Sequence, residues 1–158
     1  MKIITADDLT ALAAEAAARP RRRLNRNLHP ELSDPVQRLL NALEPGTYVR
    51  PHRHVDGVWE MFALLSGALA VPIFDAEGRL LSRIEMAETG ARIVELPSGA
   101  WHSLVSRAPG TVVVEVKPGP YRPLDDKDFA AWAPVEGAPE AAELEGWMAT
   151  AAIGGTWR

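Results

Sequence analysis

Dipeptides that end in glycine separate short apolar segments between residues 36 and 117. Glycine readily adopts the left-handed backbone conformations of tight turns, so turns repeated every 10 to 20 residues or so limit the intervening segments to the length of β-strands. This spacing predicts a mainly β chain whose hairpins form a barrel or a sandwich. The turn dipeptides are Pro45-Gly46, Ser66-Gly67, Glu77-Gly78, Thr89-Gly90 and Pro109-Gly110.

The length of the chain limits its domain organisation. Its 158 residues suffice for one hydrophobic core and leave little room for a second. We expect a single domain over residues 1–158, with an N-terminal helix and basic segment at 1–35, a barrel at 36–118 and a helical extension at 119–158. No apolar run approaches the roughly 20 residues of a membrane span, and acidic residues interrupt the apolar N-terminus where a signal peptide would be continuous. We therefore expect a cytoplasmic protein with no membrane partner.

Local signals predict helices at both ends of the chain. Thr5 and Asp8 have the spacing of a capping box, and the alanine-rich run that follows predicts a helix to about Ala18. Two further helices are expected near residues 126–132 and 140–152. The second of these carries an apolar stripe suited to packing against the barrel.

The chain contains four histidines and no cysteine. Disulfides, thiolate zinc sites, iron-sulfur clusters and cysteine nucleophiles are therefore excluded, and any bound metal must be held by nitrogen and oxygen. The net charge of -4 argues against a surface that binds nucleic acid, so no nucleic-acid partner is expected.

Three histidines and one glutamate have a spacing that allows them to meet. Side chains two residues apart on a strand share a face with Cα atoms about 6.5 to 7 Å apart, so His52 and His54 can converge on one ion. A turn after them returns the chain to Glu60, and a Pro-Ser-Gly turn leads into His102. Three imidazoles and one carboxylate form an N3O donor set suited to a first-row divalent metal. Asp56 is an alternative to Glu60 as the carboxylate ligand.

These two stretches resemble the paired motifs of the cupin superfamily. The first motif is matched by Gly46, His52, His54, Glu60 and Gly67, and the second by Pro97, Gly99 and His102. The wider text, from about Asn25 to Glu136, resembles the narrower WbuC-type group of cupin-fold metalloproteins associated with bacterial surface-polysaccharide loci.

The resemblance implies a double-stranded β-helix, the cupin jelly-roll barrel, with one divalent transition metal inside each chain. The segment VQRLLNAL has an apolar pattern that fits either a helix or a strand. Because a cupin strand leads into the first motif glycine, the resemblance favours a strand at about residues 37–44. Cupins often pair through a strand edge or sheet face, so we also expect a homodimer.

Several polar residues are candidates to bind a small-molecule ligand. Strand alternation places Tyr48 and Arg50 on the face of the histidines, although Tyr48 can equally be a packing residue and Arg50 part of a rim ion pair. Lys117 joins the site only if its set of alternating residues faces inward, which the sequence leaves open. The basic segment at 19–27 is either a solvated connector or an anion-binding element. From this segment and the residues that follow it, Arg23, Asn27 and His29 are candidates, with a turn role as the alternative for His29.

The leading functional hypothesis is a mononuclear metal enzyme that acts on a small polar or anionic metabolite, such as a sugar or sugar nucleotide of surface-polysaccharide synthesis. Isomerisation, epimerisation, hydrolysis and oxygen chemistry all fit, with Fe, Mn, Ni or Zn as the metal. No catalytic residue is assigned. The alternatives are a non-catalytic module that binds a saccharide or metabolite, or a cupin whose ligands only stabilise the barrel.

Overall fold

The computed structural model describes residues 1–54, 57–121 and 127–158, which form two antiparallel sheets and two helices. No helix in these ranges is long and apolar enough to cross a membrane. The helices are α1 (Ala6–Ala17) and α2 (Pro139–Thr150). The strands are β1 (Arg23–Asn27), β2 (Val36–Leu43), β3 (His52–Arg53), β4 (Glu60–Ser66), β5 (Leu69–Phe74), β6 (Leu80–Met86), β7 (Ile93–Leu96), β8 (Trp101–His102), β9 (Val105–Ser106), β10 (Thr111–Pro118) and β11 (Asp128–Phe129).

The strands divide into a first and a second sheet. The first sheet has the order β1-β2-β10-β4-β7, and the second has the order β11-β3-β8-β5-β6, with β9 paired to β5. Strands distant in sequence are therefore neighbours, as in a jelly roll. The predicted mainly β architecture and the strand at 37–44 are confirmed.

Apolar side chains from both sheets meet in the interior. Phe62 on β4 and Val113 on β10 come from the first sheet, whereas Leu69 and Val71 on β5 come from the second. All four are at most 1% exposed, so these side chains form a packed core between the sheets. Burial of this apolar area is the main force that holds one sheet against the other.

The two helices cover the outer faces of the sheets. Helix α1 packs Leu12 and Ala16 against Leu40 and Val112 of the first sheet. It begins at the predicted capping box, in which the Thr5 backbone amide donates to Asp8 Oδ2 at 2.9 Å and the Thr5 hydroxyl accepts from the Asp8 amide at 3.3 Å. Helix α2 packs Leu144 and Met148 into a cluster that includes residues of β5 and β9.

Strand β10 shows which residues point into the barrel. Val112 packs against α1 on the outside, and Val113 lies in the interior core. Alternation then places Glu115 and Lys117 on the inward face, where both are buried. The sequence left this choice open, and it brings a carboxylate and an ammonium group into the barrel.

Two segments differ from the expected organisation. Strand β1 lies outside the predicted barrel range and pairs along its whole length with β2. The helix predicted near residues 126–132 is wrong for the described residues of that range, because Asp128 and Phe129 form β11 and pair with β3. The Arg53–Asp128 ion pair at 2.8 Å accompanies this pairing, so long-range contacts override the local alanine-rich signal. Of the expected C-terminal helices, the one realised in the described residues is α2.

Candidate metal centre and adjoining cavities

The four predicted ligands converge inside the barrel. His52 on β3 lies directly opposite His102 on β8, His54 follows β3, and Glu60 begins β4 of the other sheet. One donor atom from each residue lies within 4.8 Å of those of the other three. All four side chains are buried. Asp56, the alternative carboxylate, lies outside the described residues.

Backbone carbonyls orient two of the imidazoles. His52 Nδ1 lies 2.9 Å from Arg50 O, and His102 Nδ1 lies 2.9 Å from Ala100 O. A carbonyl oxygen only accepts, so Nδ1 carries the hydrogen in both rings and Nε2 presents a lone pair to the cluster. This is the arrangement found around metal-binding histidines, whose second nitrogen is held by a hydrogen bond to the protein.

The donor atoms fit a cation better than they fit one another. His102 Nε2 lies 2.9 Å from Glu60 Oε2 and His54 Nε2 lies 3.4 Å from Glu60 Oε1. A lone pair that faces a carboxylate oxygen is repulsive unless positive charge lies with them. His52 Nε2 is buried with no hydrogen-bond partner among the described residues. These residues therefore fit a divalent metal ion with an N3O donor set.

The electrostatics of the cluster favour the protonation states that bind metal. Burial lowers the pKa of His52 well below its usual range, and the positive charge of Lys127 lowers it further. Burial also opposes ionisation of Glu60, but the adjacent His102 and His54 imidazoles outweigh it and hold the pKa of Glu60 well below its usual range. A neutral imidazole and an ionised carboxylate are the forms that coordinate metal.

A cavity of about 350 Å³ opens beside the cluster, and we name it the metal cavity because His52 and Glu60 line it. The first sheet supplies most of its polar wall, through inward-facing side chains of β1, β2 and β10. The polar lining residues besides the two ligands are Arg23, Asn25, Asn27, His29, Gln37, Asn41, Glu115, Lys117, Tyr121 and Lys127.

Lys117 and Glu115 form a charged pair between this cavity and the cluster. Lys117 Nζ lies 3.3 Å from Glu115 Oε1 and 3.9 Å from Glu60 Oε1. Burial raises the pKa of Glu115 to about 7, and the negative charge of Glu60 contributes to the rise. Asn41 donates its side-chain amide to Glu115. A cation thus stands beside the candidate metal ligand.

His29 is buried at 4% exposure and lines the metal cavity. Its Nδ1 lies 3.0 Å from the Arg38 backbone nitrogen and 2.8 Å from the Arg38 carbonyl oxygen. The Arg38 backbone therefore engages one edge of the ring. Nε2 at the other edge is buried and has no partner among the described residues. His29 is thus held in place with one nitrogen left for a ligand.

The structure separates the remaining candidates. Arg23 and Asn27 line the metal cavity, and Arg50 lines a second cavity that also reaches His52. Tyr48 is not brought to the cluster, because it packs beside α2 and its hydroxyl donates to Pro134 O at 2.8 Å. Burial raises the pKa of Tyr48 to about 12, so this donor keeps its proton. The packing role is therefore the one observed.

Sequence reasoning missed several polar residues of the site. Asn41 alternates with residues on the opposite face of β2, a signal that is legible only once that strand is assigned. Glu115 could have been found together with Lys117, since both belong to one alternating set. Lys127 carries no local signal, because its place at both cavities depends on the pairing of β11 with β3.

Comparison with known sequences gives a family without a described activity. The model of the family described as "Domain of unknown function (DUF6016)" matches residues 4–86, which is more than half of the chain. No curated protein matches the sequence.

Comparison with solved structures confirms the predicted cupin fold. A cupin superfamily protein from Desulfitobacterium hafniense is 18% identical with a TM-score of 0.51, over 68% of this chain and 86% of that one. The capsular polysaccharide assembling protein CapF from Staphylococcus aureus is 17% identical with a TM-score of 0.57, over 66% of this chain. This chain spans only 29% of the length of that CapF structure. A Shewanella oneidensis protein is 14% identical with a TM-score of 0.55, over 82% and 87% of the two chains.

Proposed function

Because this chain belongs to the DUF6016 family of unknown function, we propose its function from its own chemistry: it is a metal-binding cupin that acts on a small polar or anionic metabolite. The observation that carries the proposal is the buried cluster of His52, His54, Glu60 and His102, with donor atoms within 4.8 Å of one another. The three imidazoles and the carboxylate hold one divalent transition metal, with Fe, Mn, Ni and Zn as the candidates.

The residues around the cluster divide the work of an enzyme site. A bound divalent ion supplies Lewis acidity, which polarises a carbonyl or hydroxyl or lowers the pKa of bound water. Lys117 places positive charge where an anionic substrate group would approach, and Glu115 can hold a proton near neutral pH. His29 offers Nε2 to a substrate in the metal cavity.

The substrate class follows from the polar wall of the metal cavity. Asn25, Asn27 and Asn41 line it with side-chain amides, which both donate and accept hydrogen bonds and so match hydroxyl groups. We propose that the substrate is a sugar or sugar nucleotide of surface-polysaccharide synthesis, a choice that the WbuC-type resemblance supports. The likeness in fold to CapF, described as a capsular polysaccharide assembling protein, supports this choice.

Elemental analysis tests the metal proposal. Protein purified without a metal-binding tag and reconstituted with each candidate ion should hold about one equivalent per chain. Glu60→Gln should lose this metal because the substitution removes an anionic ligand. Glu115→Gln is the matched control, since it alters a neighbouring buried carboxylate outside the cluster, and it should keep the metal. Less than about a tenth of an equivalent in the reconstituted wild type contradicts the proposal.

Turnover assays separate the enzyme from its alternative. Metal-loaded protein incubated with a panel of sugar nucleotides should release product that the Glu60→Gln variant does not form. Tight binding of a sugar nucleotide with no product in any metal form would instead support a binding or regulatory module.

A further inference from the structure

A second cavity, of about 510 Å³, adjoins the metal cavity at His52. We name it the arginine cavity, because Arg21, Arg23 and Arg50 line it. The two cavities share six lining residues, among them His52 and Lys127. A molecule that extends through both would therefore pass the candidate metal ligand His52.

The arginine cavity has an excess of positive charge. Four cationic side chains line it, whereas Glu136 is the one carboxylate among its described lining residues. Glu136 is already engaged, since Arg21 Nε and Nη2 donate to it at 2.6 and 2.8 Å and Arg23 Nη2 donates at 3.0 Å. This carboxylate partly neutralises Arg21 and Arg23. The remaining positive charge belongs to Arg50 and Lys127.

Arg50 is held in a fixed orientation. Its Nε donates to Ala133 O and its Nη2 to Ala130 O, both at 3.1 Å, and its Cζ lies 5.1 Å from the Phe129 ring centroid. Nη1 makes no hydrogen bond with the described part of the chain. A guanidinium group fixed in this way loses little conformational entropy when it binds a phosphate or carboxylate.

Lys127 is the second uncommitted cation. It lines both cavities, and its ammonium group makes no hydrogen bond or ion pair with residues 1–54, 57–121 or 127–158. It lies close enough to the cluster for its charge to contribute, after burial, to the lowered pKa of His52. An anion held by Lys127 would therefore lie beside the candidate metal ligands.

We propose that Arg50 and Lys127 form an anion subsite that binds the phosphate or carboxylate group of a polyhydroxylated substrate, while the amides of the metal cavity bind its hydroxyl groups. This assignment deepens the proposed function and rests on it for the identity of the molecule as a substrate. The anion subsite itself requires no metal, because neither of its cations belongs to the ligand cluster.

Titrations of the full-length chain with glucose 6-phosphate, gluconate, glucose and inorganic phosphate test the subsite, first in metal-free and then in metal-loaded protein. Calorimetry should show that glucose 6-phosphate or gluconate binds metal-free protein at least about tenfold more tightly than glucose, with an affinity that falls as salt rises. The phosphate and carboxylate probes reveal which anion the subsite prefers. Inorganic phosphate alone should bind weakly, because it leaves the metal cavity unfilled.

Two variants and one control locate the subsite. Lys127→Gln should weaken the preferred anionic probe about tenfold, and Arg50→Lys should weaken it while it keeps the charge, since a lysine cannot reproduce the arginine geometry. Arg158→Gln removes the same charge from a residue that lines neither cavity and should leave the affinity unchanged.

The outcomes separate this inference from the metal proposal. Equal affinities for glucose, glucose 6-phosphate and gluconate would overturn the anion subsite, even in a protein that holds its metal. A loss of affinity in Arg158→Gln as large as that in Lys127→Gln would overturn it as well. Conversely, a chain that binds no metal but binds the anionic sugar through Lys127 would retain the subsite and refute the metal enzyme.

Discussion

The imidazole rings of His52 and His102 are oriented by the backbone immediately before their strands. In each case Nδ1 lies 2.9 Å from the carbonyl oxygen two residues earlier, which is Arg50 O for His52 and Ala100 O for His102. The tautomer of both rings is therefore set by local backbone rather than by a distant acid. Such preorganisation lowers the cost of placing two imidazoles on one ion.

Gly67 shows how one residue position depends on tertiary contact. Its φ is +74°, and a Cβ added there would lie 2.6 Å from Thr111 Cα and 2.4 Å from Thr111 Oγ1. Gly46 has a similar φ of +84°, but a Cβ there meets nothing within 4 Å. The two motif glycines thus share one backbone requirement and differ in available space.

We predict that Gly67→Ala destabilises the protein more than Gly46→Ala does. In the Gly46 variant the free energy of unfolding should fall by about 1 to 2 kcal/mol, because the left-handed conformation strains an alanine. In the Gly67 variant the free energy of unfolding should fall by about 1 to 3 kcal/mol more, because backbone atoms of Thr111 must move. Urea unfolding of both variants measures the difference, and equal midpoints would refute the role of the close approach.

Among the secondary-structure elements, β2 is the one whose sequence fitted both a helix and a strand, and its burial shows why. Leu40 and Ala42 face α1, whereas Leu39 and Leu43 face the metal cavity or the interior. Both faces are covered, so the strand loses the polar alternation of a half-exposed strand and its apolar pattern also fits a helix. The strand was predicted correctly because of the family resemblance rather than its periodicity.

The capping box of α1 makes a pH-dependent contribution to stability. Hydrogen bonds from the Thr5 backbone amide and hydroxyl lower the pKa of Asp8. A carboxyl group whose pKa is depressed by folding stabilises the folded state above its unfolded pKa, and this contribution disappears as the pH falls through the folded pKa. The stability difference between wild type and Asp8→Asn should therefore be largest near neutral pH and vanish in acid.

Urea unfolding from about pH 6 to about pH 2 measures this difference. Asp7→Asn is the control, because Asp7 lies in the same first turn. This substitution removes the same charge but leaves the contact between Thr5 and Asp8 intact. A constant difference for Asp8→Asn across the range would show that the carboxylate form does not contribute.

At the scale of the whole molecule, the candidate ligands connect the two sheets. His52 and His102 belong to the second sheet, and Glu60 belongs to the first. A bound ion would therefore join the sheets at the end of the barrel where the cavities replace the apolar core. Any ligand that binds only the folded chain stabilises it by mass action.

We predict that metal raises the melting temperature of metal-free protein. At a metal concentration about 100 times Kd the stabilisation should be about 2.7 kcal/mol, or about 5 to 10 °C for a chain of this size. His102→Gln should abolish the shift, because it removes a ligand. Differential scanning fluorimetry checks this, and an equal shift in the variant would mean that the ion binds elsewhere.

The expected homodimer stays a prediction, and the edge strand β7 offers a place to test it. Ile93 on this strand is 63% exposed, and an edge strand presents backbone groups that can pair with another chain. Equilibrium sedimentation at micromolar concentration should give twice the 17.2 kDa chain mass. Ile93→Lys should lower that mass, whereas Val135→Lys, at a similarly exposed site outside the strands, should not. A monomeric wild type would refute the dimer.

The sequence alone determined the features that depend on short spacings. The His-X-His pair, the following glutamate and the turn before His102 identified the cluster, and Thr5 with Asp8 identified the start of α1. These predictions succeeded because strand alternation and helix capping act over a few residues.

The surroundings of the ligand cluster depend on contacts that form only in the folded chain. The inward face of β10, the conversion of an expected helix into β11 and the position of Lys127 at both cavities all depend on pairing between strands distant in sequence. Tyr48 lies away from the cluster for the same reason, since its hydroxyl donates a hydrogen bond to Pro134 O, which is distant in sequence. Residues two positions apart on a strand point their side chains the same way, so short spacings predict which residues share a face. A cavity forms only where two sheets enclose it, and its lining therefore depends on residues that are distant in sequence.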